Sequence, residues 1–485
     1  MSKFYITTPI YYPNADLHMG HAYTTTLCDI LARYHRIMGD ETRFLSGTDD
    51  HAFKVAQVAK KQGLDAKDYV KQQGERFKSL FSKLGVELDD FIQTSDEIRH
   101  WPGAIEIWKR IAKNGDLEKR SYKGLYCTGC ESFKKTEDLV SGKCPDHDLV
   151  AQEIEEENYF FKLSKYGDKI KKAIESDELK IIPETRKNEI LALIDRGLED
   201  VSFSRPNKSM PWGIPVPSDD SQTMYVWCDA LTNYISSLGF ATNDESNYKK
   251  FWPADVHMMG KDILRFHAAI WPAMLLSANL PLPKSLFVHG FITSGGRKMS
   301  KTIGNVIDPL IVIEEYGVDA LRYFLAREIS PFEDGDFTIE RFKEAYNANL
   351  ANGLGNLASR IMKMAEVNLD RPVSIFEPQG EASGKSGGLA FKSEFTELMN
   401  NYELQKACDY IWQEIGRLDS LIQSSQPFKL IKSEPGKGRE LIQELVISLY
   451  TIARMLNPFL PATSRAIKEA VRENKAFIEP LFPRK

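Results

Sequence analysis

Long apolar runs, a leader-like N-terminus and an excess of positive charge are all missing from this sequence. No stretch approaches the ~20 consecutive apolar residues that a membrane-spanning helix needs. Residues Met1–Ile6 carry neither the basic nor the apolar region of a signal peptide, so we expect a cytoplasmic protein with no membrane partner. The net charge of −5 excludes a chain that is basic throughout, and any polyanion partner has to meet a local basic surface.

Cysteine is scarce as well. The chain has 6 cysteines in 485 residues, which excludes a disulfide framework. A hydrophobic content of 42% and a charged content of 27% are ordinary for a soluble globular protein. Because the chain is too long for one hydrophobic core, we expect two to four domains.

Two short motifs far apart in the chain carry the chemistry. The first is His18-Met19-Gly20-His21 and the second is Lys298-Met299-Ser300-Lys301. Imidazoles near the start of a helix can donate to phosphate oxygens, which the helix dipole already favours. The lysine loop supplies mobile positive charge to a leaving pyrophosphate. Each motif alone is weak, since a chance His-x-Gly-His or a solvated lysine loop is common. Together, in this order, they predict a site that activates a carboxylic acid with ATP.

Strand and helix signals alternate around both motifs. Residues Phe4–Thr8 and Thr42–Ser46 read as strands on either side of a helix from Gly20 to Gly39, and strands return at Val256–Met259 and Ser285–His289. This pattern predicts an α/β fold with a Rossmann-type parallel sheet, split by an insertion of roughly a hundred residues. Ligands of such sheets bind beyond the carboxyl ends of the strands. The residues that fall there are His18, Asp49, Gly260, His289 and Lys298.

Strand signals stop after about Asp336. Leu350, Leu354, Leu357 and Ile361 recur at helical spacing, and further apolar stripes follow to the C-terminus. A segment rich in Pro, Gly and Ser, residues 372–388, interrupts them as a loop. The last part of the chain is therefore predicted to be an all-α bundle of about 140 residues.

A cysteine cluster lies in the insertion. Cys127 and Cys130 form one C-x2-C pair, and Cys144 and His147 form a C-x2-H pair behind it. Two such knuckles bring four ligands to tetrahedral reach, as a structural zinc site requires. The alternative is a surface loop with chance cysteine pairs, but the double spacing favours a single Zn²⁺ that holds the fold and leaves no open position for chemistry.

These residues resemble a known family, the class I aminoacyl-tRNA synthetases, and among them the methionyl-tRNA synthetases. The resemblance covers essentially the whole chain. Pro9–Asn14 precedes the histidine motif as in the methionine enzymes, Tyr225–Ala230 is similar to their side-chain pocket segment, and the cysteine knuckle lies where they carry zinc. The insertion is too short for the editing domain of the leucine, isoleucine and valine enzymes.

The resemblance implies roles for individual residues. Asp49 would accept from the ammonium group of methionine, and the methionine pocket would consist of Ile10, Tyr12, Trp227, Ala230, Tyr234, Ile263 and His267. His18, His21, Lys298 and Lys301 would be catalytic, while ATP, with Mg²⁺ on its phosphates, would also contact Gly20, Gly260, Asp262, His289, Met299 and Ser300. Considered alone, Trp227 could be core packing and Asp262 a plain helix N-cap.

The resemblance also assigns the helical bundle to anticodon recognition. Asn356 and Arg360 match a family element whose side chains contact anticodon bases, and Phe428 stands where the family commonly has a stacking Trp. The alternative for Asn356 and Arg360 is an exposed helix face. Thr302 replaces a usual Ser after the lysine loop and keeps the hydroxyl.

The resemblance implies a methionine–tRNA ligase that binds ATP, L-methionine and tRNA(Met), and the lack of a C-terminal oligonucleotide-binding domain leads us to expect a monomer. The expected domains are residues 1–118 and 225–325 for the two halves of the catalytic domain, 119–224 for the zinc insertion, 326–345 for a linker and 346–485 for the bundle. Three alternatives are a degenerate synthetase that binds tRNA without activation, a small nucleotidyltransferase and a cysteine enzyme. The intact motifs argue against the degenerate synthetase. The insertion and the bundle argue against the nucleotidyltransferase, and the closed zinc knuckle argues against the cysteine enzyme.

Overall fold

The computed structural model describes residues 2–14, 18–127, 132–134, 136–145, 148–299, 305–375 and 391–485. The strands are β1 (Lys3–Thr7), β2 (Glu41–Thr48), β3 (Asp90–Gln93), β4 (Leu117–Cys127), β5 (Ser132–Lys134), β6 (Lys143–Cys144), β7 (Leu149–Val150), β8 (Gln152–Phe161), β9 (Lys180–Ile182), β10 (Val201–Ser202), β11 (Ser204–Pro206), β12 (Pro215–Val216), β13 (Asp219–Met224), β14 (Val256–Gly260), β15 (Ser285–His289), β16 (Ile292–Ser294), β17 (Arg297–Lys298) and β18 (Gly335–Asp336).

The α-helices are α1 (Met19–Met38), α2 (Phe53–Lys61), α3 (Ala66–Lys83), α4 (Trp101–Lys113), α5 (Gly167–Glu175), α6 (Glu184–Asp195), α7 (Val226–Leu231), α8 (Asn233–Ser236), α9 (Ser246–Phe251), α10 (Trp271–Ser277), α11 (Pro309–Tyr316), α12 (Val318–Tyr323), α13 (Ile339–Ala345), α14 (Asn356–Asn368), α15 (Ser393–Asn400), α16 (Leu404–Ser425), α17 (Pro427–Ser433), α18 (Pro435–Leu456) and α19 (Pro461–Glu473). Single π-helical segments cover Phe266–Ile270, Phe324–Glu328 and Tyr346–Gly355.

A six-stranded parallel sheet forms the centre of the N-terminal part. Its strand order is β3-β2-β1-β14-β15-β9, so the early strands β1 to β3 lie beside the late strands β14 and β15. The predicted α/β fold with a split parallel sheet is confirmed. One strand differs from the prediction, because β9 comes from within residues 119–224 and pairs with β15 through Lys180 opposite Ser285. Its three residues are too few to show a strand period.

Side chains of the sheet alternate between two cores. Phe4 and Ile6 of β1 pack into an apolar cluster that continues into the helical bundle, whereas Tyr5 packs into a second cluster on the other face. Both faces are covered, as a parallel sheet requires. The first cluster includes α1 residues such as Leu27 and bundle residues such as Leu449. The sheet and the bundle therefore share one continuous core.

Helix α1 begins with an unusual cap that the histidine motif supplies. The side chain of His18 accepts from the backbone N–H of Gly20, and the side chain of His21 accepts from the backbone N–H of His18. Gly39 ends the helix with a φ of 87°, a left-handed conformation in which glycine has no steric penalty. The predicted helix between Gly20 and Gly39 is confirmed.

The segment between the sheet halves contains a long antiparallel ribbon. Strands β4 and β8 pair from Leu117 opposite Phe161 to Tyr126 opposite Gln152. Cys127 ends β4 and Cys144 lies in β6, and both thiols are buried. The other two predicted zinc ligands, Cys130 and His147, lie outside the described residues.

The last part of the chain is helical, as predicted. Strand β18 is the last strand among the described residues, and helices α13 to α19 follow it. The predicted loop at 372–388 lies mostly outside the described residues, which resume at Phe391. Within the described ranges, no helix is both long enough and apolar enough to cross a bilayer.

Candidate active site

A cavity of about 420 Å³ opens at the carboxyl edge of the parallel sheet. Gly260 ends β14, His289 ends β15 and Asp49 follows β2, so three strand ends point at it. Fifteen sequence-predicted residues line this one cavity: Ile10, Tyr12, His18, Gly20, His21, Asp49, Trp227, Ala230, Tyr234, Gly260, Asp262, Ile263, His267, His289 and Met299. This position agrees with the general location of ligand sites in open parallel sheets.

The other predicted residues of the lysine loop and of the bundle are not among these lining residues. Lys298 is in β17 and its side chain is not described, while Ser300 and Lys301 lie outside the described residues. Asn356, Arg360 and Phe428 belong to the bundle and do not line the cavity.

The two histidines of the first motif face each other at the start of α1. Their rings stack with centroids 3.9 Å apart. Nδ1 of His18 accepts a hydrogen bond from the backbone N–H of Gly20, with an N–N distance of 3.1 Å. Nδ1 of His21 accepts one from the backbone N–H of His18, at 3.2 Å. A neutral imidazole that accepts at Nδ1 carries its proton at Nε2. Burial, and then the neighbouring His18, lower the pKa of His21. Both rings are thus held in the form that can donate from Nε2.

The segment before α1 is fastened to the end of β2. Tyr11 donates its N–H to the Gly47 carbonyl, and Asp49 donates its N–H to the Tyr11 carbonyl, with N–O distances of 3.0 and 2.9 Å. A Cβ atom on Gly47 would lie 2.1 Å from the carbonyl oxygen of Ile92 and 3.0 Å from Ile10, so only glycine permits this approach. The result is that Ile10 and the buried carboxylate of Asp49 lie on the same wall.

An aromatic wall faces that carboxylate. The indole of Trp227, on α7, stacks on the ring of Phe266 with centroids 3.7 Å apart and an interplanar angle of 9°. The ring of His267 meets the same indole edge-on at 6.2 Å. Among the described residues, the buried Nε1 of Trp227 has no hydrogen-bond partner. Trp227 is therefore a pocket wall supported from behind by Phe266.

A tyrosine and a histidine close the pocket without charge. The Tyr234 hydroxyl lies 2.7 Å from Nε2 of His267, and Nδ1 of His267 lies 3.0 Å from the Ile263 carbonyl oxygen. Burial lowers the pKa of His267 to about 4 although the Ile263 carbonyl opposes the shift. Because Nδ1 donates to that carbonyl, Nε2 accepts the tyrosine proton. The side chains of Tyr234 and His267 are therefore uncharged at neutral pH.

Gly260, Asp262 and His289 also line the cavity. Nε2 of His289 lies 2.7 Å from the Thr24 hydroxyl, and Nδ1 lies 2.7 Å from the Gly290 carbonyl oxygen. Burial lowers the pKa of His289 to about 4. Since both ring nitrogens already have partners, His289 contributes ring surface to the cavity. A Cβ on Gly260 would lie 2.8 Å from the Asp262 carboxylate, so glycine leaves that carboxylate room.

The three predicted bundle residues are on two helices. Asn356 is exposed at the start of α14, and Arg360, one turn later, forms an ion pair with Asp419 of α16. The side chain of Phe428, in α17, is 49% exposed, which is unusual for a large aromatic ring.

Sequence reasoning missed several residues of the site. Thr24 lies one helical turn after His21 and lines the cavity, so its position on the motif's helix face was a usable signal. Asn233 also lines it and neighbours Tyr234. The support of Trp227 by Phe266 had no local signal, because it joins two elements that are distant in the chain.

Comparison with protein families gives a direct match. A family model described as tRNA synthetases class I (M) matches residues 4–154 and 148–362. A methionine–tRNA ligase of Caldanaerobacter subterraneus is 43% identical over 472 residues, which is 96% of this chain and 73% of that protein. One from Thermotoga maritima is 41% identical over 474 residues, covering 96% of this chain and 74% of the relative.

Solved structures of similar fold agree. A Mycobacterium tuberculosis methionyl-tRNA synthetase in complex with methionyl-adenylate superposes with a TM-score of 0.89 at 36% identity, covering 97% of this chain and 94% of that one. The apo form of the enzyme from the same organism gives a TM-score of 0.82 at 32% identity, over 100% and 98% of the two chains. Sequence motifs, sheet topology and full-length similarity thus agree, and the chain belongs to the methionyl-tRNA synthetases, a family of class I tRNA synthetases.

Proposed function

We propose that the protein is a methionine–tRNA ligase that joins L-methionine to ATP as methionyl-adenylate, releases pyrophosphate, and transfers the methionyl group to tRNA(Met). One observation carries the proposal. A single cavity combines a buried carboxylate, an uncharged aromatic pocket and a His-x-Gly-His helix start, in a chain of this family. The first relatives in both comparisons carry the same activity in their names.

Methionine occupies the end of the cavity between Asp49 and Trp227. The Asp49 carboxylate accepts hydrogen bonds from the substrate ammonium, a charge-assisted contact worth about 1.5–3 kcal/mol. The thioether lies against Trp227, Tyr234 and the neutral His267, where polarisable sulfur makes soft contacts with aromatic rings. A charged side chain would lose its hydration in this pocket without gaining a partner, so the pocket favours methionine over charged amino acids of similar length.

ATP occupies the other end. The Nε2–H groups of His18 and His21 and the positive end of α1 stabilise charge on the phosphates, and Asp262 accepts from the ribose hydroxyls. Lys298 and Lys301 supply further positive charge. Mg²⁺ bound with ATP neutralises phosphate charge. In the reaction, a methionine carboxylate oxygen forms a bond to the α-phosphorus while the bond from that phosphorus to the bridging oxygen breaks, and pyrophosphate leaves with its electron pair.

We also propose that the insertion holds a structural zinc ion through Cys127, Cys130, Cys144 and His147. Two of the four, Cys127 and Cys144, are buried, although most of the described residues around them in the sequence are exposed. Thiolate sulfur is a soft donor that suits zinc. Among the described residues, no group of three potential ligands is gathered. Four protein ligands would hold the insertion together and leave no site for a reacting water.

The bundle is proposed to bind the anticodon. Unpaired bases are recognised by stacking and by side-chain hydrogen bonds, and the exposed ring of Phe428 offers a stacking surface. Asn356 and Arg360 supply polar groups, and the ion pair with Asp419 fixes the direction of the Arg360 guanidinium. Phe428 offers less area than the Trp usual in the family.

ATP–pyrophosphate exchange on the purified protein, run with each of the twenty amino acids, tests the activity. Exchange that depends on methionine alone is the expected result. Exchange with a different amino acid would contradict the assignment of the pocket, and no exchange with any amino acid would contradict the proposed activity.

A further inference from the structure

Three buried side chains outside the cavity form a hydrogen-bonded unit. Nδ1 of His51 lies 2.5 Å from one carboxylate oxygen of Asp229, and Nε2 of His100 lies 2.6 Å from the other. All three side chains are at most 1% exposed. None of them lines the cavity, so neither methionine nor ATP contacts them there.

The unit connects the two walls between which methionine is proposed to lie. His51 follows Asp49 by two residues in the segment after β2, and Asp229 is in α7 between Trp227 and Ala230. Both Asp49 and Trp227 line the cavity. The Asp229 carboxylate therefore fixes the distance between the cavity wall that contains Asp49 and the aromatic wall that contains Trp227.

A further bond brings in helix α8. His100 lies directly before α4, and its Nδ1 is 2.8 Å from the Ser236 hydroxyl, two residues after Tyr234 in α8. His100 thereby holds α7 through Asp229 and α8 through Ser236. One imidazole thus bonds a residue two positions after Trp227 and a residue two positions after Tyr234.

The ionised Asp229 carboxylate depends on the hydrogen bonds that His51 and His100 donate to it. Burial raises the pKa of Asp229, but the charges and hydrogen bonds of His51 and His100 outweigh burial and bring that pKa down to about 2. The carboxylate is thus ionised at neutral pH. Within the described part of the chain, its ion-pair partners are the two histidines. Removing one imidazole leaves the buried Asp229 carboxylate with one of its two ion-pair partners. Either α7, which carries Asp229, then shifts, or a water molecule enters to hydrate the carboxylate.

We infer that His51, Asp229 and His100 are positioning residues for methionine, which set the separation between Asp49 and the aromatic wall without touching either substrate. The inference rests on the proposed function. The inference deepens the proposed function, because it assigns part of the methionine affinity to residues outside the pocket. ATP binding should be unaffected, since the residues proposed to bind ATP lie on other elements: His18 at the start of α1, Gly260 at the end of β14 and His289 at the end of β15.

Matched substitutions at His51 and His100 test whether methionine affinity depends on the N–H group that each side chain donates to Asp229 or only on the volume of the side chain. His51→Asn and His100→Gln retain an N–H donor at about the position of Nδ1 and of Nε2, whereas His51→Ala and His100→Ala remove it. We expect the alanine variants to raise the KM for methionine about tenfold in ATP–pyrophosphate exchange, equivalent to about 1.4 kcal/mol. The amide variants should stay within about twofold of the unchanged protein, and the KM for ATP should stay within about twofold throughout.

A control at a similar buried carboxylate separates positioning from general loss of structure. Asp116 is fully buried and bonds to Ser277 and Lys165, but it does not line the cavity and is remote from α7 in the chain. Asp116→Asn should reduce the folded fraction without changing the KM for methionine relative to that for ATP.

Three results would overturn the inference. They are equal rises in the KM values for methionine and ATP, amide variants as impaired as the alanine variants, or unchanged methionine KM in all four. If the alanine variants do not fold, the amide variants alone decide it, because the inference requires them to retain methionine affinity. Failure of the unchanged protein to exchange with methionine would instead contradict the proposed function, so the two failures are distinguishable.

Discussion

Burial keeps three histidines that line the cavity neutral: His21, His267 and His289. Burial lowers the pKa values of His267 and His289 to about 4, and it also lowers those of His21 and His257. The rings of His267 and His289 each donate from Nδ1 to a backbone carbonyl, which fixes the tautomer. An uncharged, fixed wall suits a thioether, whereas an imidazolium at this place would attract an anionic or strongly hydrated side chain instead.

These lowered pKa values predict how stability changes with pH. The reference pKa of histidine is 6.5, so between that value and about 4 the unfolded chain binds protons that His267 and His289 do not bind in the folded chain. The free energy of unfolding should therefore fall as the pH is lowered through this window. Urea denaturation at about pH 7.5 and about pH 5 measures it, and a double variant, His267→Gln with His289→Gln, should show a weaker fall. Equal stability at both pH values would contradict this reading.

The two carboxylates that line the cavity, Asp49 and Asp262, should affect different substrates. Asp49→Asn removes the charge proposed to meet the ammonium group, and it should raise the KM for methionine roughly 10- to 100-fold with little change for ATP. Asp262→Asn is its counterpart and should raise the KM for ATP with little change for methionine. Both KM values come from the same exchange assay. A shift of both KM values by either variant would argue against the division of the cavity.

At the scale of elements, a buried arginine attaches the bundle to α1. Arg322 of α12 is fully buried, and its guanidinium lies 2.7 Å from the Asp29 carboxylate of α1. It also donates to the carbonyls of Pro458 and Phe459, at 2.9 and 2.8 Å, in the turn between α18 and α19. The helix that begins with the histidine motif is thus bonded through one side chain to the end of the bundle.

Loss of that arginine should destabilise the whole protein. Arg322→Met leaves two buried carbonyls without their donor and removes one of the two arginine partners of Asp29, which keeps Arg33 at 2.6 Å. We expect a cost of about 3 kcal/mol in the free energy of unfolding. A matched control is Arg36→Met, which breaks the partly exposed pair with Asp89 and should cost at most about 1 kcal/mol. Urea denaturation of both variants makes the comparison. Similar losses in the two variants would show that the buried bond has no special weight.

The insertion gives a prediction that concerns metal content. Cys127→Ser and Cys144→Ser each remove a proposed ligand, so each should lower the zinc content of the purified protein from about one ion per chain towards none. Cys408→Ser, at a buried cysteine of the bundle helix α16, should leave the zinc content unchanged. Elemental analysis by mass spectrometry provides the readout. Full zinc in the Cys127 and Cys144 variants, or none in the unchanged protein, would contradict the zinc proposal.

Local sequence patterns were sufficient where an element carries its own signal. Strand β15 was predicted from a run of β-formers, and α1 from its apolar spacing and its terminal glycine. Strand β9 was missed because three residues at a sheet edge show no period, and its place depends on pairing with β15. Among the site residues, the His-x-Gly-His motif was visible, but the supports behind it were not. The bond between Thr24 and His289 and the stack of Phe266 on Trp227 exist only after folding.

At the scale of the molecule, sheet and bundle fold around one core. The apolar cluster on one face of the sheet continues from β1 and α1 into helices of the bundle. Tyr34 of α1 also donates to the side chain of Asn400 at the end of α15, with an O–O distance of 3.0 Å. A core shared in this way holds the cavity and the bundle in a fixed relation, which suits an enzyme proposed to grip one tRNA at two distant points.

Transfer of radiolabelled methionine to tRNA by the purified protein tests the whole proposed reaction in one assay. We expect acid-precipitable methionyl-tRNA that requires ATP, methionine and tRNA(Met) together, and almost none when His18→Ala removes the donor at the start of α1. Formation of methionyl-adenylate without any charging of tRNA, or charging that survives the loss of His18, would contradict the proposed reaction.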